Sequence, residues 1–122
     1  RESARLMLPR GKGNIFFTGA TASLRGGSGF AAFASAKFGL RAVAQSMARE
    51  LSPKGIHVAH VVVDGAIDGV FTRSNRTDVE DLLARNVILK PEEIAANYVW
   101  LHNQQRSAWT HELDLRPWSE TW

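Results

Sequence analysis

Residues 56–63 read IHVAHVVV, and this stretch decides the fold. It ends in an unbroken run of β-branched residues at positions 61–63, which is typical of a strand covered on both faces. Asp64 and Gly65 then break the run. A strand buried on both faces needs a layer of structure on each side, so the stretch predicts a sheet packed between helices.

Upstream of this strand, the sequence predicts another strand and a long helix. Residues 14–18 contain the apolar run IFF shortly after two glycines, which is typical of a buried strand. Residues 19–29 are rich in Gly, Ser, Thr and Ala and therefore predict a loop. Apolar positions recur at steps of three and four over residues 30–51, which predicts a helix, and Pro53 ends it.

Downstream, the sequence predicts a long connection, a helix and a third strand. Residues 66–90 are polar and irregular, with a short helix predicted over residues 78–85. Pro91 opens the next helix and is followed by two glutamates, which the helix dipole favours in a first turn. Residues 107–115 alternate between apolar and polar side chains, as a strand does.

The predicted order is therefore strand, helix, strand, helix, strand. Long helical crossovers join parallel strands, so the predicted fold class is α/β, the C-terminal half of a Rossmann-like, doubly wound parallel sheet. We assign residues 1–122 to the C-terminal part of a single domain of this kind. The chain opens with Arg1 in what resembles the tail of a helix, so we expect the N-terminal half of that domain to be absent from it.

The composition excludes several kinds of protein. The net charge is +3, from 15 Lys and Arg against 12 Asp and Glu, but the two signs are interspersed, so we expect no nucleic-acid partner. No apolar run approaches the roughly 20 residues of a membrane span, so we expect no membrane partner. The chain has no cysteine, which leaves no disulfide and fits a cytoplasmic location.

Two motifs carry a resemblance to a known family. Residues 18–23 (TGATAS) and 30–37 (FAAFASAK) resemble the active-site region of the short-chain dehydrogenase/reductase family. The resemblance continues through AREL at 48–51, KGIHV at 54–58 and DGAI at 64–67, so it covers nearly the whole chain in the family's order. It implies an oxidoreductase that uses a nicotinamide dinucleotide.

The resemblance also implies catalytic positions. In the family, a Tyr transfers the proton, a Lys four residues later supports it and holds the nicotinamide ribose, and a preceding Ser bonds the substrate oxygen. Lys37 keeps the Lys position, but Phe33 occupies the Tyr position and has no hydroxyl. Ala20 falls at the Ser position, and the neighbouring hydroxyls of Thr21 and Ser23 are candidates to replace it. Residues four apart share a helix face, which explains the spacing of Phe33 and Lys37.

Further residues match the family's cofactor contacts. Asp64 and Gly65 stand where the family has Pro-Gly beside the nicotinamide, and Ile67 matches the backbone partner of its carboxamide. Lys37 completes this set. The glycine-rich turn that binds the dinucleotide phosphates lies in the family's N-terminal half and is absent from residues 1–122. We therefore expect NAD or NADP to bind the full-length parent, and this chain alone to bind neither.

Other polar residues give no specific site. His57 and His60 are three apart in a strand and thus face opposite sides, so no metal site is expected. Tyr98, the only tyrosine, is expected to lie far from the active site. Arg73 and Arg76 in the lid-like residues 66–90 are either solvated loop residues or contacts for an acidic substrate.

The sequence therefore leaves two classes of function open. The first is a fragment of an NAD(P)-dependent oxidoreductase that acts on an unknown carbonyl or alcohol. The alternative, favoured by Phe33, is a non-catalytic relative or a structural oligomerisation module, and we expect the chain alone to be inactive. An apolar edge strand and four tryptophans, two of them in residues 117–122, predict a homo-oligomer, a dimer or tetramer.

Overall fold

The computed structural model describes residues 1–121, whose three strands form one parallel sheet in the order β1-β2-β3. The strands are β1 (Gly13–Ala20), β2 (Ile56–Val63) and β3 (Glu112–Leu115). Gly13 aligns with Ile56 across the first pair, and His60 aligns with Glu112 across the second. The predicted α/β fold with a parallel sheet is confirmed. Trp122, one of the tryptophans in the oligomer prediction, lies outside the described residues.

The helices connect and cover these strands. In residues 1–121 they are α1 (Glu2–Met7), α2 (Ala31–Leu51), α3 (Val70–Asn75), α4 (Val79–Ala84) and α5 (Pro91–His102). Short 3₁₀ turns occupy Leu8–Arg10, Thr21–Ser23, Ser52–Lys54 and Arg106–Ala108. None of the helices in this part of the chain combines the length and apolarity that crossing a bilayer requires.

All eight residues of β2 are buried because helices cover both faces of the sheet. On one face, α1 and α2 pack over Ile56 and Val58, and α2 contributes Leu51 to this core. On the other face, α5 contributes Leu101 to a core that includes Val61. This two-sided burial explains why residues 61–63 lack the polar alternation of a one-sided strand.

Two segments differ between the prediction and the structure. The strand predicted over residues 107–115 shrinks to Glu112–Leu115, because the Gln104 side chain bonds both the backbone N–H and the hydroxyl of Thr110 and holds that segment out of the sheet. The lid-like residues 66–90 contain α3 in addition to the predicted short helix. Val70 and Phe71 of α3 are 85% and 81% exposed, so no buried apolar stripe marked this helix in the sequence.

The first loop also begins later than predicted. Gly19 and Ala20, placed by the sequence in the loop over residues 19–29, extend β1 and align with Val62 and Val63. The chain leaves the sheet through the turn at Thr21–Ser23 and enters α2 one residue after Phe30. The carboxyl ends of β1 and β2 therefore stop level with each other, which places the loop residues after β1 beside those after β2.

Candidate active site at the carboxyl edge of the sheet

The carboxyl ends of β1 and β2 bring most of the predicted site residues to one edge. Ala20 ends β1 and aligns with Val63, the last residue of β2, so Thr21 and Asp64 follow at neighbouring positions. Crevices outside the carboxyl ends of parallel strands are where open α/β sheets bind their ligands. The carboxyl ends of β1 and β2 are therefore the region where we look for a ligand-binding site.

Lys37 and Phe33 lie together on the first turns of α2. The Lys37 ammonium donates a hydrogen bond to the carbonyl oxygen of Thr18 at 3.0 Å and lies 5.8 Å from the centre of the Phe33 ring. Phe33 is 48% exposed and belongs to neither hydrophobic core of the described residues. The side chain at the Tyr position thus reaches the surface beside a cation, which is the placement that an acid/base residue needs. It has no ionisable group, however, so it cannot transfer a proton.

The two candidate hydroxyls have different surroundings. Ser23 is fully buried, and its hydroxyl accepts a hydrogen bond from the backbone N–H of Ala20 at 3.1 Å, so it closes the turn. Thr21 is partly exposed and donates its hydroxyl proton to Asp64 Oδ1 at 2.6 Å. Of the pair, only Thr21 lines a cleft of about 320 Å³, whose wall also includes Ala22, Arg25, Gly26, Gly27, Phe30 and Phe33.

Asp64 is the centre of a buried polar cluster. It is completely inaccessible to solvent, yet Arg25 donates to both of its carboxylate oxygens at 3.3 Å and Arg116 lies 3.9 Å away. Buried charges need such partners, since an isolated carboxylate in an apolar interior is very costly. Arg25 and Arg116 escaped the sequence analysis. The one available signal was an acidic residue directly after the apolar run at residues 61–63, because a buried carboxylate requires a cation nearby.

Gly65 and Ile67 follow Asp64 at the same edge. Gly65 has a φ of 147°, and a Cβ there would lie 2.9 Å from Cδ of Pro117, so the C-terminal segment packs against this turn. Ile67 pairs with Leu89 in an isolated parallel bridge. The hydrogen bonds of that bridge use the Ala66 carbonyl and the Asp68 N–H, which leaves the backbone groups of Ile67 out of it.

The arginines of the lid-like segment have acidic partners within the chain. Arg73 bonds both Asp68 and Glu80, and Arg76 forms a pair with Asp78 at 2.7 Å. The hydrogen bonds from Arg73 and Arg76 lower the pKa values of Asp68 and Asp78 respectively. Of the two readings of these arginines, the geometry favours paired surface residues over contacts for an acidic substrate.

A second ionic chain lies under α2. Arg41 donates two hydrogen bonds to Glu112, at 2.6 and 2.8 Å, and Glu112 contacts Nδ1 of the fully buried His60 at 2.9 Å. The hydrogen bonds from Arg41 and, secondarily, His60 lower the pKa of Glu112. His57, by contrast, stacks on Trp109 at 4.8 Å. Among residues 1–121, no group of three or more His, Cys, Asp or Glu side chains is arranged to hold a metal ion.

Tyr98 lies nearer to the site than the order of elements suggested. Its hydroxyl is 2.6 Å from the Thr18 hydroxyl, and Thr18 is the residue whose carbonyl binds Lys37. The phenol and the ammonium nevertheless belong to opposite layers, since Tyr98 packs with the α5 core and Phe33 and Lys37 lie on α2. One residue of β1 therefore contacts both.

Comparison with known proteins bears on the family of this chain. Residues 1–80 match the family model described as short chain dehydrogenase. A short-chain dehydrogenase from Rhodopseudomonas palustris is 57% identical, with a TM-score of 0.73, and the match covers 97% of this chain and 44% of that protein. The 3-oxoacyl-[acyl-carrier-protein] reductase MabA of Mycobacterium avium is 38% identical over 74 residues, 61% of this chain and 29% of the relative.

A more distant structure shares the fold. It is assigned as an NAD(P)-dependent gluconate 5-dehydrogenase from Beutenbergia cavernae and contains NADP at low occupancy. It is 23% identical, with a TM-score of 0.73, and the match covers 90% of this chain and 47% of that one. The chain thus spans less than half the length of each of these three relatives. Because the family model matches most of its residues and the fold agrees, the chain belongs to the short-chain dehydrogenase family.

Proposed function

We propose that the complete natural polypeptide containing this chain is an NAD(P)-dependent oxidoreductase of carbonyl compounds or alcohols. The chain supplies the nicotinamide side of its active site. The observation that carries this proposal is the placement of Lys37 at the carboxyl end of β1, beside the exposed ring at the Tyr position and an adjoining cleft. The NADP bound by the structural relative from Beutenbergia cavernae supports the choice of cofactor class.

The residues at this edge fit the nicotinamide half of a dinucleotide. The Lys37 ammonium has three donor protons and uses one on Thr18, so it can also bind ribose hydroxyls. The backbone groups of Ile67 are not used by the bridge to Leu89 and match the needs of a carboxamide. When bound, the dinucleotide would supply or accept the hydride. The phosphate grip must come from outside residues 1–122, because the family's glycine-rich turn is not in this sequence.

Phe33 supports a second candidate function. A phenyl ring cannot transfer a proton, and general acid/base catalysis contributes roughly 10²–10⁴-fold. A member of the family without this group fits a non-catalytic protein that binds a dinucleotide or serves in assembly. The two candidates differ in hydride transfer and agree in fold.

The experiment is an assay of the complete polypeptide with both reduced and both oxidised nicotinamide dinucleotides. Panels of ketones, aldehydes and alcohols are tested, and the absorbance of the reduced nicotinamide is followed. We expect turnover of at least one substrate, and its loss in Lys37→Met. Lys54→Met is the control, because Lys54 is an exposed residue that contacts Glu50. Absence of hydride transfer from a folded protein that binds the dinucleotide would favour the non-catalytic alternative.

A further inference from the structure

The Thr21 hydroxyl and the Asp64 carboxylate form a short, directional contact. The oxygens are 2.6 Å apart, within the range usual for a hydroxyl that donates to a charged acceptor. A carboxylate only accepts hydrogen bonds, so the proton of the Thr21 hydroxyl points at Asp64. With its proton used in this way, Thr21 Oγ1 can form further hydrogen bonds only as an acceptor, through its lone pairs.

Thr21 also belongs to the wall of a cleft that a ligand can enter. Thr21 is partly exposed and shares the 320 Å³ cleft with Phe33, the residue at the Tyr position. Asp64 behind it is completely buried and cannot meet a ligand directly. A small molecule in the cleft would therefore meet an oxygen that accepts a hydrogen bond and has a buried proton acceptor behind it.

The cations around Asp64 are shared with other carboxylates. Arg25 also approaches Glu120 at 3.9 Å, and Arg116 donates to Asp114 at 2.5 Å. Both guanidinium groups would keep an anionic neighbour if Asp64 took up a proton. The positive charge of each arginine is thus divided between Asp64 and a second carboxylate.

We infer that Thr21 and Asp64 form a proton relay that replaces the missing tyrosine and receives the hydroxyl proton of an alcohol substrate. This inference rests on the proposed function. During oxidation the substrate C–H bond breaks, and its hydride passes with both electrons to the oxidised nicotinamide. The substrate O–H proton passes to Thr21 Oγ1, and the proton of Thr21 passes to Asp64. After the carbonyl product leaves, Asp64 returns its proton through Thr21 to water, and carbonyl reduction runs the same steps in reverse.

The first test measures binding without turnover. Cyclohexanol and cyclohexanone are titrated separately into the complete polypeptide by saturation-transfer NMR. Because Thr21 offers an acceptor, we expect the alcohol to bind about fivefold more tightly than the ketone, the size of one hydrogen bond. Thr21→Val, which keeps the shape and removes the hydroxyl, should abolish this preference, and Thr21→Ser should preserve it. Ser28→Ala, an exposed hydroxyl of the same loop, is the control.

The second test measures turnover with an alcohol that the wild type oxidises. Thr21→Val should lower kcat by about 10²-fold, the lower end for loss of acid/base catalysis. Adding Phe33→Tyr to that variant should restore much of the rate, because the phenolate form of the new tyrosine, favoured by the positive charge of Lys37, supplies the lost proton acceptor. Asp64→Asn should also slow turnover. If this substitution of a buried residue prevents folding, Thr21→Val alone still tests the relay.

The outcomes separate this inference from the proposed function. A wild type that transfers no hydride to or from any substrate contradicts the proposed function, and the inference with it. A wild type that turns over while Thr21→Val keeps both its rate and its preference for the alcohol would overturn the relay alone.

Discussion

The imidazole of His60 lies directly over the α-carbon of Gly19 on the neighbouring strand. A Cβ on residue 19 would overlap Nε2 of His60 and come within 2.8 Å of the Ser23 hydroxyl. His60 is fully buried and bonded to Glu112, so it cannot move aside without breaking the ionic chain to Arg41. Glycine at position 19 is thus a packing requirement of the strand that leads into the site.

Gly19→Ala should therefore destabilise the protein. We expect a decrease of about 1–3 kcal/mol in the free energy of unfolding, the usual cost of overpacking a core, measured by urea denaturation. Gly39→Ala is the matched control, because a Cβ there meets nothing within 4 Å and the residue lies inside α2. It should stabilise by about 0.5–1 kcal/mol. Equal effects of the two substitutions would contradict the packing of His60 against Gly19.

The pair between Arg41 and Glu112 predicts a pH-dependent contribution to stability. The folded-state pKa of Glu112 lies below its ordinary value because of the hydrogen bonds from Arg41 and then His60. A lowered carboxyl pKa stabilises the fold fully above the unfolded-state pKa of about 4.3, and this stabilisation is lost as the pH falls through the folded value. The contribution is thus complete at neutral pH and disappears in acid.

Arg41→Met should remove that contribution. We expect a loss of about 1–2 kcal/mol at pH 7, between the values for exposed and buried ion pairs, and a smaller difference from wild type at acid pH. Urea denaturation over a series of pH values measures both. Arg85→Met is the control, since its pair with Asp81 is exposed and should contribute less than about 1 kcal/mol. A loss independent of pH would show that Arg41 acts through packing instead.

The sequence predicts the fold better than it predicts the site. The apolar run at residues 61–63 predicted a strand covered on both faces, because local pattern and burial coincide there. The third strand was predicted too long, since alternation at Trp109 and Thr110 reflects packing and bonding to Gln104 rather than sheet pairing. The surroundings of Asp64 were not predictable, because Arg25 and Arg116 reach it from segments distant in the sequence.

Phe33→Tyr should raise carbonyl reduction by the complete polypeptide. The new phenol would lie four residues before Lys37, whose positive charge favours phenolate and brings the tyrosine pKa closer to neutral. We expect a gain of less than roughly 10²-fold in kcat/KM with the best substrate of a ketone panel, because the relay through Thr21 and Asp64 already supplies part of the acid/base catalysis. Phe33→Leu keeps the residue apolar and should give no gain. An unchanged rate in Phe33→Tyr, with dinucleotide binding intact, would mean that the missing hydroxyl is not what limits this site.

The outer faces of α2 and α5 predict self-association. Phe38 and Val43 on α2 are 42% and 49% exposed, and Val99 and Trp100 on α5 are 60% and 52% exposed. Exposed apolar patches mark interfaces, so we propose a dimer or tetramer of this chain. Val43→Arg should lower the mass measured by light scattering after size exclusion, whereas Ser74→Arg, at an exposed polar position of α3, should not. A monodisperse wild-type peak near 13.5 kDa would contradict the proposal.

We propose that this chain forms only the nicotinamide side of a dinucleotide site, and calorimetric titration of the dinucleotides distinguishes such a half-site from a complete one. NAD⁺ and NADP⁺ are titrated into residues 1–122, into the complete polypeptide and into its Lys37→Met variant. We expect no measurable binding to residues 1–122. We expect a Kd between about 1 μM and 1 mM for the complete polypeptide with one of the two dinucleotides, and weaker binding to the variant. Micromolar binding to residues 1–122 alone, or none to the complete polypeptide, would contradict this proposal.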